Sequence, residues 1–168
     1  YVPLSSIFNY LKKINIGSAN FSKGEKDKVF RVGGVAFTSM ICFESTFPEI
    51  NRRHVELGAD FITYLVNDGW YTKPPQPQQH MRQSVFRAIE NRVSVLRCAN
   101  TGISAVIHPN GKIDQIIDLN QEGVITAFIQ KSNKSTFYTN YGNIFAIIMV
   151  IITSILFLRT FLKNEKIH

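Results

Sequence analysis

Apolar positions along this chain keep three rhythms, and each predicts a different kind of element. Short runs crowded with β-branched and aromatic residues read as strands. They are Val29–Val32 and Val35–Cys42 around the Gly33-Gly34 turn, then Phe61–Val66, Ser94–Ala99 and Ser104–His108. Lys112–Ile117 returns after the Pro109-Asn110-Gly111 turn, and Val124–Ile129 is one more. Spacings of three and four predict helices. One runs from about Phe47 to Leu57, opened by the capping-box spacing of Thr46-Phe47-Pro48-Glu49 and closed by Gly58. A second runs from about Gln78 to Arg92, with Met81, Val85, Ala88 and Ile89 as its apolar stripe and Arg82 and Arg87 off it. Between them Tyr71–Pro77 holds three prolines and must be a loop. Strand, helix and strand from Val35 to Val66 make a βαβ unit, whose strands should be parallel. The sum is an α/β layer structure.

The third rhythm is unbroken. No charged residue occurs from Tyr141 to Leu158, and the run through Leu162 is apolar all round. A helix needs about 20 such residues to cross a bilayer, whereas a helix packed on a protein surface keeps a polar face. Arg159 can snorkel toward head groups, and Tyr138 and Tyr141 suit the opposite interface. The positive flank of Arg159, Lys163 and Lys166 belongs in the cytoplasm, which places residues before about Ser135 in the periplasm or outside. The expected organisation is a domain over 1–130, a linker over 131–140, a transmembrane helix over 141–162 and a tail over 163–168.

Composition narrows the partners. With 168 residues, 45% hydrophobic and 12% aromatic, the chain is no disordered segment. A formal charge of +7 calls for an anionic partner, either nucleic acid or a membrane rich in anionic lipid. The basic residues gather at the ends, Lys12, Lys13, Lys23, Lys26, Lys28 and Arg31 early and Arg159, Lys163 and Lys166 late. A middle without a long basic run argues against a nucleic-acid groove. The opening Tyr1-Val2-Pro3-Leu4 lacks Met, so the expectation is a C-terminal part of a longer protein.

Candidate chemistry centres on Cys42. The cysteines Cys42 and Cys98 lack metal-ligand spacing, no metal or organic cofactor is indicated, and a bridge between them would silence either thiol. Cys42 falls where a strand ends and a helix is about to begin, and ligands of open α/β sheets bind outside the carboxyl ends of strands. The nearby helix N-terminus favours negative charge, and the backbone N–H of Phe43 can face an oxyanion on an acyl group attacked by the sulfur. On these local features a nucleophile and a buried structural thiol stand level.

The wider pattern separates them. Ile41-Cys42-Phe43-Glu44 with Phe47-Pro48-Glu49 resembles the nucleophile segment of the nitrilase, or carbon–nitrogen hydrolase, superfamily. The resemblance continues through Leu65-Val66-Asn67-Asp68-Gly69-Trp70, Pro77–His80, Arg87–Glu90, Arg92, Arg97–Ser104 and Pro109-Asn110-Gly111. It implies part of an α-β-β-α sandwich. Tyr1–Leu4, the tryptophan loop with its His80 spacing, and the terminal span look like the branch that N-acylates lipoproteins in membranes. What the branch implies is a ping-pong reaction without cofactor. Cys42 takes an acyl chain from a phospholipid as a thioester, and the α-amine of a diacylglyceryl-cysteine on an apolipoprotein receives it. The superfamily pairs its cysteine with a Glu and a Lys from upstream motifs. Neither Glu25, Lys12 nor Lys13 sits in a matching motif, so the chain alone is expected to be inactive.

Around Cys42 the resemblance implies lesser roles. Glu44 orients the site or the incoming amine, against a solvated strand-end acid. Phe43 stands where the family often has Tyr, so a hydroxyl role is absent. Trp70 serves as lipid contact or lid, against plain packing. Asn67 and Asp68 hold their turn, with Asn67 a candidate at the substrate. His80 is expected to pack rather than catalyse, Arg87 and Glu90 to form a structural ion pair, Arg97 and Asn100 to line the site, and Cys98 to be a core thiol. The competing readings are a membrane-tethered amidase, with water as acceptor, and a non-catalytic anchored domain.

Overall fold

The computed structural model describes Gly24 and residues 26–71, 75–131 and 135–165. Tyr1–Leu4, Lys12, Lys13, Lys23 and Glu25 lie outside the described residues, as do the middle of the proline loop and the last three residues. Six strands form one mixed sheet in chain order: β1 (Phe30–Val32), β2 (Val35–Ile41), β3 (Phe61–Val66), β4 (Ser94–Ala99), β5 (Ser104–Ile107) and β6 (Ile113–Ile117). β2, β3 and β4 are parallel, because helices α1 (Pro48–Glu56) and α2 (Gln76–Asn91) carry the chain back between them. The outer pairings are antiparallel.

Both helices cover the same face. Met40, Ile62, Tyr64, Val66, Val95, Ala105 and Ile107 point into a core closed by Ala88 of α2, with Ile50 and Val55 of α1 packed against it. Alternate positions point the other way. There Phe30, Phe37 and Phe61 stack across three strands at 5.4 Å each, and Leu65 and Cys98 are exposed. One helix-covered sheet with a bare apolar back is half of the expected sandwich.

Several expectations need correcting. Cys98 is exposed, because β4 turns Val95 and Arg97 toward the helices and sends its even neighbours outward. On α2 the stripe is rotated: Arg87 is buried and Ile89 is 40% exposed. The buried side is Pro77, His80, Met81, Ser84, Arg87, Ala88 and Asn91, a half-polar face whose side chains bond mainly to Asp68, Thr46, Arg97 and Thr139 of other elements. Val124–Ile129 joins no ladder; beside it only the Gln115 side chain bonds the carbonyl of Thr126. Thr46 does not cap α1. Its hydroxyl turns back to the carbonyl of Phe43, and Phe47 takes the cap position ahead of Pro48. α2 starts at Gln76, two residues early, since Pro75 and Pro77 fall where a missing N–H is harmless.

After β6 the chain reaches a short helix, α3 (Phe137–Tyr141), which lies against α1 and α2. Thr136 caps it, accepting from the N–H of Thr139 at 2.9 Å and donating to the carbonyl of Glu90 at 2.6 Å. Thr139 is buried and donates to Asn91 at 3.1 Å, and Arg52, forked on Glu49, donates to the Thr139 carbonyl at 2.6 Å. Gly142, at φ 57° and ψ −134°, breaks the helix. Beyond it α4 (Ile144–Glu165) contains an apolar stretch, Ile144–Leu162, long enough to cross a membrane and unburied by the rest of the protein.

Candidate active site

Cys42 opens a five-residue 3-10 turn, Cys42–Thr46, at the carboxyl end of β2. Its φ is +49°, a left-handed conformation that a residue with a Cβ rarely adopts. Such strain persists only where surroundings over-determine it, and here the first three carbonyls of the turn are each held by a side chain. Ser45 Oγ donates to the Cys42 carbonyl at 2.8 Å, Thr46 Oγ1 to that of Phe43 at 2.7 Å, and Asn51 Nδ2 to that of Glu44 at 3.2 Å. On the other side, the N–H of Ile41 donates to Glu44 Oε2 at 2.7 Å. The carboxylate of Glu44 therefore closes the turn, while the exposed residue also borders a groove of about 830 Å³ with Ile50, Arg53 and His54.

The sulfur itself is half-buried and not bridged; both cysteines are free. Its Sγ lies 3.6 Å from the carbonyl oxygen of Asn67 at the end of β3. Asn67 Oδ1 accepts from the Gly69 N–H at 3.1 Å and from Asn100 Nδ2 at 2.8 Å, tying the loops after β3 and β4 together. Next to the thiol Phe43 and Phe47 are each at least half exposed; Ile41 and Leu65, also exposed, lie on the bare back of the sheet, and Trp70 is 81% exposed on the loop after β3. Phe43 and Phe47 meet edge to face at 6.0 Å.

Beneath this rim lies a polar layer that the sequence reading did not assemble. Asp68, Arg97, His80 and Ser45 are all buried. Arg97 Nη2 donates to Asp68 Oδ2 at 2.8 Å, and its Nε donates to the carbonyl of Ile103 at 3.1 Å. The other carboxylate oxygen of Asp68 is 2.7 Å from His80 Nδ1. Burial pushes Asp68 up, but the His80 hydrogen bond and the Arg97 charge outweigh it and hold the carboxyl below its usual range. Burial pulls the Arg97 guanidinium below its ordinary value, against the opposing pull of Asp68. Arg97 and Asp68 thus lie under the site rather than on its wall, and Asn100 alone of the Arg97–Asn100 pair reaches the rim loops. The signal was present as polar residues at helical spacing, His80, Ser84, Arg87 and Asn91, beside the apolar stripe of α2. Among the described residues no group of His, Cys, Asp or Glu is arranged to hold a metal ion.

The chain belongs to the carbon–nitrogen hydrolase family, whose family model matches residues 6–136. Its relatives include apolipoprotein N-acyltransferases. That of Geobacter metallireducens is 35% identical over 146 residues, covering 87% of this chain and 28% of the relative. That of Rickettsia prowazekii is 35% identical over 158 residues, covering 93% and 31%. The chain therefore spans about three-tenths of the length of these relatives. Among solved structures, Nit3 of Saccharomyces cerevisiae, a member of branch 10 of the nitrilase superfamily, matches with a TM-score of 0.51 at 26% identity, over 60% of this chain and 40% of that one. A carbon–nitrogen hydrolase from Helicobacter pylori matches with a TM-score of 0.55 at 14% identity, over 61% and 43%, a likeness of fold alone.

Proposed function

We propose that this chain carries the nucleophile of an N-acyltransferase that moves an acyl group from a phospholipid to the N-terminal amine of a diacylglyceryl apolipoprotein. The observation that carries the reading is the setting of Cys42, a half-buried thiol with a left-handed backbone at the end of β2, beside an apolar rim made by the exposed rings of Phe43 and Phe47. Water-soluble substrates gain little from such a rim, whereas an acyl chain buries itself against it. Cys42 Sγ attacks the ester carbonyl of the phospholipid, the C–O bond breaks, and lysophospholipid leaves with a proton. In the second half-reaction the α-amine attacks the thioester, the C–S bond breaks, and an amide forms as the amine gives up a proton and the thiol is restored.

The roles assigned to the chain's own residues follow from position. The N–H of Phe43 faces the oxyanion, Glu44 keeps the turn closed and so orients the site, and Asn67 and Trp70 border the substrate. The Glu and Lys implied by the family resemblance match no motif in residues 1–168, so this chain by itself is expected to form no acyl-enzyme. In the proposed setting α4 crosses the bacterial inner membrane, with Arg159 toward the cytoplasm and the domain on the periplasmic face. Both substrates are then held in the same bilayer as the enzyme.

The test uses membranes containing the intact gene product and a phospholipid labelled in its acyl chain. The expected result is label on the protein, lost in Cys42→Ala, and chased onto a diacylglyceryl-cysteine peptide. Undiminished label on Cys42→Ala would sink the reading. Release of free fatty acid without acylation of the peptide would instead make the enzyme a hydrolase.

A further inference from the structure

We infer that His80 is a positioning residue that aims the backbone N–H of Phe43 at the oxyanion by clamping the carbonyl of Cys42. The inference deepens the proposed function and rests on Cys42 being the nucleophile. Its starting point is covalent geometry. The Cys42 carbonyl and the Phe43 N–H belong to one peptide plane, and in a trans peptide they point in opposite directions. Whatever pulls that carbonyl inward therefore turns the N–H outward.

What pulls it is a line of buried side chains. Nε2 of His80 lies 3.3 Å from the Cys42 carbonyl oxygen and 3.0 Å from Ser45 Oγ, which itself donates to the same carbonyl at 2.8 Å. A carboxylate and a carbonyl only accept, so the contacts are satisfied together when both ring nitrogens carry a hydrogen, Nδ1 donating to Asp68 Oδ1 at 2.7 Å and Nε2 donating to the Cys42 carbonyl and Ser45 Oγ. Asp68 is fixed from behind by Arg97 at 2.8 Å, and the backbone of Gly102 is packed against it so closely that a Cβ there would stand 2.2 Å from Oδ2. The imidazole cannot slide away. None of the four side chains is more than 4% exposed.

A packing role does not account for this arrangement. Burying two charged groups and a ring with two polar nitrogens is unfavourable, and an apolar trio would fill the same space at less cost. The line also ends on one particular oxygen, that of the one residue in the turn with a left-handed backbone. Without the clamp, the peptide between Cys42 and Phe43 is free to rotate toward an unstrained conformation, and the N–H leaves the acyl group.

The experiment compares two reactions of the same sulfur in membranes containing the intact gene product, in a Cys98→Ser background and read at the Cys42 peptide by mass spectrometry. Acylation, by labelled phospholipid or by p-nitrophenyl butyrate, passes through an oxyanion. Alkylation by iodoacetamide does not. Loss of an oxyanion donor lowers rates on the order of 10²–10³-fold. His80→Ala is expected to slow acylation by about 100-fold at unchanged KM, while alkylation stays within about threefold. His80→Gln, whose amide nitrogen reaches the Nε2 position, is expected to recover most of the loss; His80→Asn, which reaches only Asp68, is not. Parallel loss of both reactions, equal rescue by Asn and Gln, or unchanged acylation in His80→Ala would each overturn the inference. Acylation by p-nitrophenyl butyrate that depends on His80, with none by phospholipid, would uphold it and remove the phospholipid reading. Phospholipid acylation indifferent to His80 would do the reverse.

Discussion

Gly102→Ala is expected to be among the most damaging single-methyl additions in this domain. Gly102 needs no special backbone freedom; its constraint is space. A Cβ there would lie 2.2 Å from Asp68 Oδ2 and 2.8 Å from both Asp68 Cβ and Cγ, whereas ordinary contact begins at 3.4 Å. About 1.2 Å must be found. If the backbone gives way, the cost is that of overpacking, about 1–3 kcal/mol. If the Asp68 carboxylate gives way instead, it leaves Arg97 at 2.8 Å and His80 at 2.7 Å. Hydrogen bonds to charged groups contribute about 1.5–3 kcal/mol each, and the abandoned guanidinium is buried. The cheaper route sets the loss at about 1–3 kcal/mol, equivalent to a Tm lowered by roughly 3–10 °C. Thermal unfolding of the detergent-solubilised gene product measures it, with Gly24→Ala as control because no atom stands within 4 Å of a Cβ there. In an Asp68→Gly background the penalty should largely disappear, since the Cβ, Cγ and Oδ2 at fault are all gone. A Gly102→Ala protein that melts within 2 °C of the parent, on the order of the measurement error, would refute this account of the packing.

Acid sensitivity should trace to Asp68. Its carboxyl titrates below the usual range in the folded protein, so the unfolded chain binds the proton first as pH falls. The contribution is present above about pH 4 and disappears as pH drops through the folded-state value; Asp68→Asn should flatten the pH-stability profile there, and an unchanged profile counts against it. Arg52→Met removes the donor to the Thr139 carbonyl. Because its partners Glu49 and Glu56 are about half exposed, the stability change should be under about 1 kcal/mol, while proteolysis between Ile129 and Phe137 accelerates severalfold. Trp70→Ala should raise KM for phospholipid more than it lowers kcat, because the proposed function sets its exposed indole against the lipid; equal kcat loss for p-nitrophenyl butyrate would show that it acts elsewhere.

The frame of the domain was readable because its signals are local. Hydrophobic runs bounded by Gly and Pro located six of the seven expected strands, and the one that failed, Val124–Ile129, lacks a partner rather than β-forming residues. Cys42 was readable from the motif around it. Its neighbours beneath were not, because Ser45, Asp68, His80 and Arg97 come from four different elements and meet only after the sheet has formed. Arg87 and Cys98 were misplaced for a related reason. A charge is counted as outward and a thiol as inward by composition, whereas strand alternation and the rotation of α2 obey the packing of the whole layer.

One consequence of the α3 seat is mechanical. Thr136, Thr139 and Arg52 rivet the end of the domain to α1 and α2, so the segment before α4 is no slack leash. The change of direction between α3 and α4 falls at Gly142, whose backbone conformation suits glycine. Under the proposed function, with α4 seated in the bilayer, that one torsion sets the pitch of the face bearing Cys42, much as a wrist sets the angle of a palm. The stand-off of the thiol from the lipid surface would then be a set dimension rather than an average over a swinging tether.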